Sequence, residues 1–536
     1  MIRMFLKRIA WKRLLCVLRG HRHLKESNSI GRIIALKNDL ASTPCIKNGR
    51  YSKWIYGSEL ERAELITRQF LLARIEAGGF AKNILYSVGN AGSSITYPLP
   101  SEWRKVVNSH GFNVNKYSGI LYWNAFVIMK FVLAIFEFAI KVFGSVKLII
   151  WKNHQIKGTY IYFDTLSRRN FPLNSLKGPI PNIFTWYLQW SGKAQYFDSL
   201  CHGVIEISKC EIQQTPVIPL SSPIPSLTRI SSAFNFMLWS LSALFVAIID
   251  LMRGHWWHPI LFGESYKAKI ISIADDKEVA IDYLFHNSGW IYRPLWTYEA
   301  ERRGSRILFY FYSTNVEGFK QVGGYSPAYF GWATSTWENF LVWDHYQQDF
   351  VNRSLQRKVN INVVGPIWFE SGVEVIPNFS QDSIAVFDVQ PVRDAFYNTL
   401  GIPFDYFIPT NCNQFLSDIL ELLEVRNTSL VLKRKRNIGK LIHYRYRNLL
   451  SELEKHPNFI SLDPDTAVHQ IVENCKAVIS MPFTATALIA ERMGKPSIYY
   501  DPSGLIQKDD RGAHGIKIVS GPKELEEWLE GLSKKP

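Results

Sequence analysis

The stretch "AVISMPFTATALIAERMGKPSIYYDPSG", residues 477–504, contains a strand, a sharp turn, a helix and a second strand. The run "AVISM" predicts a buried strand that ends at Pro482, because proline has no N–H to donate to a neighbouring strand. The following helix begins with Phe-Thr-Ala-Thr, although stronger helix formers exist. The rest of the chain has to explain why these residues stand at the end of a buried strand.

Strands and helices alternate regularly from about residue 372 to the end of the chain. Such alternation predicts a doubly wound parallel sheet. We expect the helix at 467–475 to be capped by Asp465 or Thr466. The predicted strands are 383–389, 428–433, 459–462 and 516–519, and the predicted helices are 413–425, 446–455, 467–475 and 522–532.

A second set of strands precedes this region. Apolar and aromatic runs predict strands at 159–164, 280–285, 306–315 and 361–369. The Pro- and Ser-rich stretch at about 172–228 is expected to be irregular. The fold class is therefore α/β, with two Rossmann-like domains and a cleft between them. The predicted division is a basic N-terminal region (1–115), an N-terminal domain (116–370) and a C-terminal domain (371–536).

The composition favours anionic partners. The chain has 62 basic and 46 acidic residues among 536, a formal charge of +16, and its first 25 residues contain eight basic residues and no acid. That start lacks the unbroken apolar core of a signal peptide, so we expect a basic arm on a membrane or in solvent. Nucleic-acid binding is not predicted, because only net charge favours it. The six cysteines form no CxxC pair and are expected to be reduced thiols.

Two apolar segments predict a membrane-associating helical insertion in the N-terminal domain, at about 121–150 and 230–252. In the first, Lys130, Glu137 and Lys141 fall on one helical face, which suits a helix lying in the membrane interface. A core helix of a large domain is the alternative. The second segment has no charge from Ile230 to Ile249 and reaches the length of a membrane span.

The turn after the quoted strand predicts a phosphate site. The first turn of a helix carries unpaired backbone N–H groups and the positive end of the helix dipole. Pro482 and Phe483 form the turn, and Thr484 and Thr486 add hydroxyl groups. Either threonine alone is equally well explained as an N-cap.

Basic residues follow the strand 428–433, which comes two elements before the threonine turn. A solvated loop is the plain alternative, but the carboxyl end of a central strand is where ligands bind in such sheets. We expect these cations to face the same cavity as the threonines and to balance a nucleotide leaving group without a metal. They are Lys433, Arg434, Lys435 and Arg436.

Candidate acceptor-side residues follow the strands of the N-terminal domain. A catalytic base has to reach the acceptor hydroxyl and titrate near the working pH, which favours a histidine or a partly buried carboxylate. His286 is the predicted base and Asp164 the substitute, although a loop hydrogen bond would also explain either residue. The other predicted acceptor-side residues are Asn287, Arg293, Ser313, Thr314 and Asn315.

Three blocks, "MPFTATALIAERMGKPSIYYDPSG", "RPLWTYEAERRGSRILFYFYSTN" and "VVGPIWF", resemble a bacterial surface-polysaccharide biosynthesis family with a Pro-Phe-Thr-Ser motif. The resemblance covers roughly residues 280–536, and the C-terminal half is similar to glycosyltransferases of the two-Rossmann (GT-B) type. It implies a C-terminal domain that holds the nucleotide of a sugar donor and an N-terminal domain that offers the acceptor site.

Two departures from that pattern change the expected site. Ala485 stands where the family has serine, and Ile489 stands where many GT-B enzymes carry a carboxylate for the donor ribose. We therefore expect Asp501, in the turn that ends at Gly504, to contact the ribose. His456-Pro457 is similar to a cytidine-phosphate-binding pair of some bacterial transferases but follows a different element, so we expect an ordinary helix end.

The predicted function is a metal-independent glycosyltransferase, without a cofactor, at the cytoplasmic face of the bacterial inner membrane. It would be peripheral or monotopic, and would use a nucleotide sugar and a lipid-linked or polysaccharide acceptor. One alternative is a polyol-phosphate-type transferase on the same fold. Another is a non-catalytic scaffold that binds carbohydrate or membrane.

Overall fold

The computed structural model describes residues 29–44, 63–75, 80, 83–84, 87–88, 94–151, 158–171, 182–192, 197–287, 292–314, 316–325, 330–355, 357–367, 378–391, 406–435 and 442–533. The predicted basic arm (1–25), Asn315 and Arg436 lie outside these residues.

The first sheet contains eight strands in the order β3-β4-β2-β1-β5-β6-β7-β8, and every pair is parallel except the β3–β4 hairpin. Its strands are β1 (Tyr160–Phe163), β2 (Ser199–His202), β3 (Cys210–Ile212), β4 (Thr215–Pro219), β5 (Asp282–His286), β6 (Arg306–Tyr310), β7 (Asn339–Val342) and β8 (Asn360–Val363).

The second sheet contains six parallel strands in the order β11-β10-β9-β12-β13-β14. Its strands are β9 (Ile384–Phe387), β10 (Leu430–Lys433), β11 (Phe459–Leu462), β12 (Ala477–Ser480), β13 (Ser497–Asp501) and β14 (Ile518–Ser520).

Both sheets have Rossmann topology. Counted along the chain, the second sheet has the order 3-2-1-4-5-6. The first sheet has the same order once the β3 hairpin is set aside, with β8 added at its far edge. The strand order reverses between β1 and β5 in the first sheet and between β9 and β12 in the second. The prediction of two Rossmann-like units is confirmed, and these two reversal points are where ligands bind in this topology.

The prediction of an irregular stretch at 172–228 was wrong. The described part of it contains a helix (Ile183–Trp190) and the strands β2, β3 and β4. Pro216 and Pro219 lie within β4 itself, although prolines are normally confined to the edges of sheets. Strands β2 and β4 complete the Rossmann order of the first sheet, and they were not predicted because this stretch is rich in proline.

The helices surround both sheets. The described α-helices are α1 (Ser29–Ser42), α2 (Ala63–Ile75), α3 (Ser101–Ser109), α4 (Lys116–Trp151), α5 (Ile183–Trp190), α6 (Ile230–Met252), α7 (Trp257–Ile273), α8 (Leu295–Arg302), α9 (Phe330–Ala333), α10 (His345–Leu355), α11 (Pro409–Val425), α12 (Tyr444–Leu453), α13 (Val468–Glu473), α14 (Ala485–Arg492) and α15 (Gly521–Ser533).

The predicted cap of α13 was wrong. Ala467 occupies the N-cap position and makes no side-chain capping bond. The residues just before it form a turn of their own, in which Asp463 accepts hydrogen bonds from the backbone N–H groups of Asp465 and Thr466. Asp465 and Thr466 therefore belong to that turn and precede the cap.

Helices α6 and α7 form the crossover between β4 and β5. Helix α7 packs against α8 on one side and against α4 and α6 on the other, so α4 and α6 form an additional outer layer. Phe138 of α4 joins the three helices, with its ring 5.6 Å from Phe236 and 6.2 Å from Phe262. Within the described residues, α6 is the one helix long and apolar enough to cross a membrane, judged by length and composition alone.

Candidate functional site

The turn between β12 and α14 lies at the reversal point of the second sheet. The Met481 N–H donates to the carbonyl of Phe387 in β9 at 2.8 Å, and Pro482 then ends the ladder. Phe483 has a φ of +63°, in the left-handed region that non-glycine residues rarely occupy. The Tyr499 hydroxyl donates to the Thr484 carbonyl at 2.7 Å and fixes the entry to α14.

Three hydroxyl groups cluster at this turn. Thr486 Oγ1 lies 2.8 Å from Ser480 Oγ and 3.1 Å from Thr484 Oγ1. Thr484 is the N-cap of α14, but its hydroxyl donates to the Met481 carbonyl at 2.9 Å and makes no capping bond. Its side chain therefore leaves the N–H groups of the first turn of α14 uncapped. These N–H groups and the hydroxyl cluster form the kind of concave donor set that binds phosphate.

Phe483 connects this turn to the first sheet. Its ring is 4 % exposed, stacks on Phe319 at 4.8 Å and meets Tyr499 edge-on at 5.8 Å. Phe319 lies in the loop that follows β6. At Gly512 a Cβ atom would lie 3.0 Å from the Phe483 ring, so a side chain there would crowd the stack. The unusual helix start is thereby explained: phenylalanine holds the turn, and the threonines supply hydroxyl groups.

The predicted basic residues lie at the end of β10. Lys433, Phe387 and Ser480 form one row across β10, β9 and β12, so Lys433 and Ser480 are two strands, or about 10 Å, apart. The Lys433 side chain is buried, Arg434 is half-buried and Lys435 is exposed. The residues after β9 and β10, at 392–405 and 436–441, lie outside the described part of the chain.

Asp388 at the end of β9 is a site residue that the sequence analysis missed. Its carboxylate is buried and accepts a short hydrogen bond from the Tyr446 hydroxyl, while Oδ1 has no hydrogen-bond partner among the described residues. Burial raises the pKa of Asp388 to about 6, although Tyr446 and the charge of Arg434 oppose the shift. An acidic residue directly after the apolar run "IAVF" was the signal for it.

Asp501 and Gly504 lie in the turn after β13. The Asp501 carboxylate is fully buried and accepts hydrogen bonds from the Tyr406 hydroxyl, from the Ser503 N–H and hydroxyl, and from the Ile506 N–H. Gly504 has a φ of +68° and is exposed. In this conformation the carboxylate holds its own turn, and it is not exposed to a donor ribose.

Asp164 and His286 lie on either side of the reversal point of the first sheet. His286 is the last residue of β5, and Asp164 follows β1, to which β5 is paired. The His286 Nε2 atom lies 3.3 Å from the carbonyl of Thr165, a residue with a φ of +58°. Since a carbonyl only accepts, Nε2 carries the proton in this contact and Nδ1 carries the lone pair.

His286 has the electronic properties of a base but is enclosed in this conformation. Burial lowers its pKa, although the hydrogen bond to Thr165 opposes this shift, so the ring is neutral near pH 7. Nδ1 is buried and makes no hydrogen bond to any described residue. The rings of Tyr310 and Tyr312 lie 5.4 and 5.6 Å away. The residues that follow at 288–291 lie outside the described chain.

The other predicted acceptor-side residues are dispersed. Asn287 accepts a hydrogen bond from the Tyr312 N–H at 2.8 Å and so stays at the sheet edge. Arg293 is fully buried, bonded to Glu301 at 2.6 Å and stacked on Tyr298, which gives it a structural ion pair at the start of α8. Ser313 and Thr314 lie in the loop after β6, where Ser313 is half-buried and Thr314 is buried.

Two ion-paired clusters hold the two sheets with their carboxyl edges facing each other. Glu317, after β6, accepts from Arg511 at 2.6 Å and from Arg353 at 3.1 Å. Asp344, after β7, lies 2.6 Å from His514 Nδ1, and both side chains are buried. Burial opposes ionisation of Asp344, but the hydrogen bond and charge of His514 outweigh it and lower the Asp344 pKa.

Asp510 adds a third link between the same loops. Its carboxylate accepts from the Lys320 N–H at 2.7 Å and from the Tyr325 hydroxyl at 2.9 Å. All these contacts join the loops after β6 and β7 to the loop after β13. They hold the carboxyl edges of the two sheets together at these loops.

A cavity of about 720 Å³ lies elsewhere, between the 508–518 loop and α15, and is lined by Tyr346, Lys508, Lys517 and Trp528 among others. It does not include the predicted donor or acceptor residues. Within the described chain, no group of three His, Cys, Asp or Glu residues has the arrangement of a metal site. Metal independence stays a prediction.

The chain is similar to one known protein family and, more distantly, to several solved structures. A family model described as "Polysaccharide biosynthesis PFTS motif protein" matches residues 239–529, just over half of the chain. This match includes β5 to β14, the hydroxyl cluster and His286. A search of the curated proteins found no match.

Solved structures match the chain only distantly. The UDP-GlcNAc 2-epimerase of Methanocaldococcus jannaschii, in complex with UDP-GlcNAc and UDP, has 9% identity and a TM-score of 0.35, over 70% of this chain and 93% of that one. The wall teichoic acid polymerase TagF has 11% identity and a TM-score of 0.36, over 76% and 89%. The E. coli heptosyltransferase WaaC with ADP has 10% identity and a TM-score of 0.28, over 70% and 100%. These scores carry no argument, and the fold assignment rests on the strand orders above.

Proposed function

The chain belongs to the polysaccharide biosynthesis family with the PFTS motif, and from this premise we propose that it is a glycosyltransferase. It transfers a sugar from a nucleotide-sugar donor to a lipid-linked or growing surface polysaccharide. The observation that carries the proposal is the cluster of Ser480, Thr484 and Thr486 at the start of α14, at the reversal point of a Rossmann sheet.

The donor phosphates bind at this cluster. The positive end of the α14 dipole and the hydroxyl groups stabilise the negative charge that develops on the leaving nucleotide. Lys433 at the end of β10 supplies a cation two strands away in the same row. No metal is required in this account, because backbone donors and cations carry the charge. Asp388 follows β9, between these two strand ends, and is close enough to Arg434 for their charges to interact.

The acceptor hydroxyl attacks the anomeric carbon of the donor sugar. The bond from that carbon to the phosphate oxygen breaks, and the nucleotide leaves with the electron pair. The acceptor proton passes to Nδ1 of His286, which is neutral near pH 7, or to Asp164 if His286 does not reach the acceptor. For His286 to act, the side chain has to become accessible when the acceptor binds.

The reaction takes place at the cytoplasmic face of the bacterial inner membrane. A lipid-linked acceptor is confined to that surface, and nucleotide sugars are made in the cytoplasm. The apolar outer layer formed by α4 and α6 supports this location, since it belongs to the same domain as the acceptor-side residues.

Product analysis tests the proposed reaction. Purified protein in detergent is incubated with a panel of nucleotide sugars and nucleotide-activated polyols and a membrane lipid extract, and the products are identified by mass spectrometry. Glycosyl transfer predicts release of nucleoside diphosphate or monophosphate and a product heavier by one dehydrated sugar. A product that has gained a polyol phosphate contradicts glycosyl transfer and favours the alternative transferase. Absence of both products, together with tight sugar binding, favours a non-catalytic scaffold.

A further inference from the structure

A largely apolar surface covers the outer side of α4 and α6. On α4 it includes Leu121, Val132 and Phe136, and on α6 it includes Phe234, Leu241 and Phe245, all more than half exposed. We propose that this surface docks the protein on an anionic bilayer, with both helices lying in the head-group region and neither crossing the membrane. The choice of an anionic membrane in this inference rests on the proposed function, whereas the apolar surface itself is seen in the structure.

The charged side chains in the middle of α4 contact other elements of the protein, although Glu137 is 56% exposed. Glu137 lies 3.5 Å from Lys267 of α7, and Lys141 donates to the Ile224 carbonyl at 2.7 Å. Lys130 lies 5.8 Å from the Phe70 ring and is half-buried. A water-facing helix would show the opposite arrangement, with its charged stripe outward and its apolar stripe inward. Lys130 and Lys141 of the predicted polar stripe are therefore turned toward the protein, while Glu137 stays partly exposed beside Lys267.

Several polar groups of α6 are bonded within the protein, and Ser231 and Asn235, near its start, are exposed. Ser242 donates to the Leu238 carbonyl of its own helix at 3.1 Å, and Ser232 donates to the Ile273 carbonyl at 3.1 Å. Asp250, the single acid of α6, is buried and paired with His255 at 3.1 Å. A typical protein interface carries a polar rim and regular hydrogen bonds. From Met237 to Met252 the exposed positions of α6 are apolar except Ser242, whose hydroxyl is bonded within the helix, and this composition suits lipid better than a second protein.

Basic and aromatic residues surround the apolar surface. Lys116, Lys147 and Arg253 are exposed near the ends of the two helices. Tyr117 is 81% exposed, and Tyr122 is also exposed, next to Lys116 at the start of α4. Lysine and arginine attract anionic head groups, and tyrosine is enriched at the membrane–water interface. The charge around the surface is therefore complementary to an anionic leaflet.

Helix α6 lies in the membrane plane in this arrangement. Its inner side is buried along its length, at Phe236, Trp239, Ala243 and Ala247, and it packs against α7. A spanning orientation would draw α7 into the hydrocarbon together with charged residues such as Lys267. In the most apolar 18-residue segment of α6, 28% is buried inside the protein. One side of α6 is therefore held against the domain, and the other side is available to lipid.

Vesicle flotation tests the surface. The full-length protein is mixed with vesicles of phosphatidylcholine alone or with a quarter phosphatidylglycerol. Wild type should float, and more strongly with the anionic vesicles. Val132→Glu and Leu238→Glu each should weaken binding about tenfold or more, since burial of one such side chain is worth at least that factor. Ile205→Glu and Val425→Glu, at exposed positions outside α4 and α6, are the matched controls and should float as wild type does.

The outcomes separate this inference from the proposed function. Equal flotation of outward and control variants overturns the docking surface, and so does failure of wild type to float. Loss of a dimer in gel filtration by the same outward variants, without any flotation, would assign the surface to a second copy and overturn the lipid assignment. Nucleotide binding in detergent is measured in parallel and should be unchanged in all four variants, so a failed donor site is recognised independently.

The orientation of α6 has its own test. Ile230→Cys and Arg253→Cys place a thiol at each end of the helix, and wild type provides the background labelling of the native cysteines. With protein added to preformed vesicles, a membrane-impermeant maleimide should label both ends. Protection of one end until detergent is added would show that α6 spans the bilayer and would overturn the in-plane arrangement.

Discussion

Substitution of Phe483 tests how the motif turn is held. The ring is almost fully buried between Phe319 and Tyr499, so truncation to alanine should lower the free energy of unfolding by about 3–5 kcal/mol. The backbone φ of +63° adds a second expectation. A non-glycine residue in this region costs about 1–2 kcal/mol, and glycine does not. Phe483→Gly should therefore be less destabilising than Phe483→Ala by about 1 kcal/mol, although glycine is normally the worse of the two.

Urea unfolding followed by tryptophan fluorescence measures both variants. Phe459 in β11 is the matched control, because it is buried in the same sheet and does not have a positive φ. At Phe459, glycine should be worse than alanine by about 0.5–1 kcal/mol. If glycine is no better than alanine at Phe483, the left-handed turn is wrong. If neither Phe483 variant lowers stability, the ring does not pack across the two sheets as described.

Three further predictions concern the site. Lys433→Ala should weaken nucleotide binding by about 1–3 kcal/mol, while Lys476→Ala, just before β12 at the opposite edge of the same sheet, should not, as titration calorimetry would show. The raised pKa of Asp388 means that the folded state binds its proton more tightly than the unfolded state does. The resulting stabilisation is present below pH 4 and is lost as the pH rises to about 6. Urea unfolding should therefore show the free energy of unfolding of wild type falling by about 3 kcal/mol over this pH range, relative to Asp388→Asn. His286→Ala should keep nucleotide binding and lose turnover by about 10²–10⁴-fold, whereas His456→Ala should retain turnover. Unchanged turnover in His286→Ala combined with loss in Asp164→Asn would transfer the role of base to Asp164.

The order of strands and helices in the second sheet could be predicted because each element carries a strong local pattern. The strand at 459–462 was predicted with its observed bounds, and the quoted unit at 477–504 folds as strand, turn, helix and strand. The first sheet was predicted less completely. Its strand β4 contains two prolines within five residues, and a rule based on local propensity therefore excluded it.

The candidate site shows where a sequence pattern stops being informative. Position at a strand end identified Thr484, Thr486 and His286, because the parallel topology brings such ends to one edge. It did not show that Thr486 contacts Ser480, or that Asp501 is enclosed by its own turn. These outcomes depend on contacts between segments distant in the chain.

The same limit applies to two contacts between distant elements, one between the two sheets and one between α4 and α7. The stacking of Phe483 on a residue more than a hundred positions away has no local signal in the sequence. The spacing of Lys130, Glu137 and Lys141 predicted one polar face on α4 but not its direction. The direction is set by partners on other elements, such as the Ile224 carbonyl for Lys141.

Nucleotide binding at the start of α14 is the central claim, and titration calorimetry with UDP, GDP, ADP and CMP tests it most directly. The account predicts that wild type binds at least one of them. The Thr484→Val/Thr486→Val protein should bind that nucleotide about tenfold more weakly or worse, a loss of about 1.4 kcal/mol. Thr428→Val is the matched control, a half-buried threonine at the opposite edge of the same sheet, and it should bind as wild type does. Failure of all four nucleotides to bind, or equal affinity in the double variant, would contradict the account.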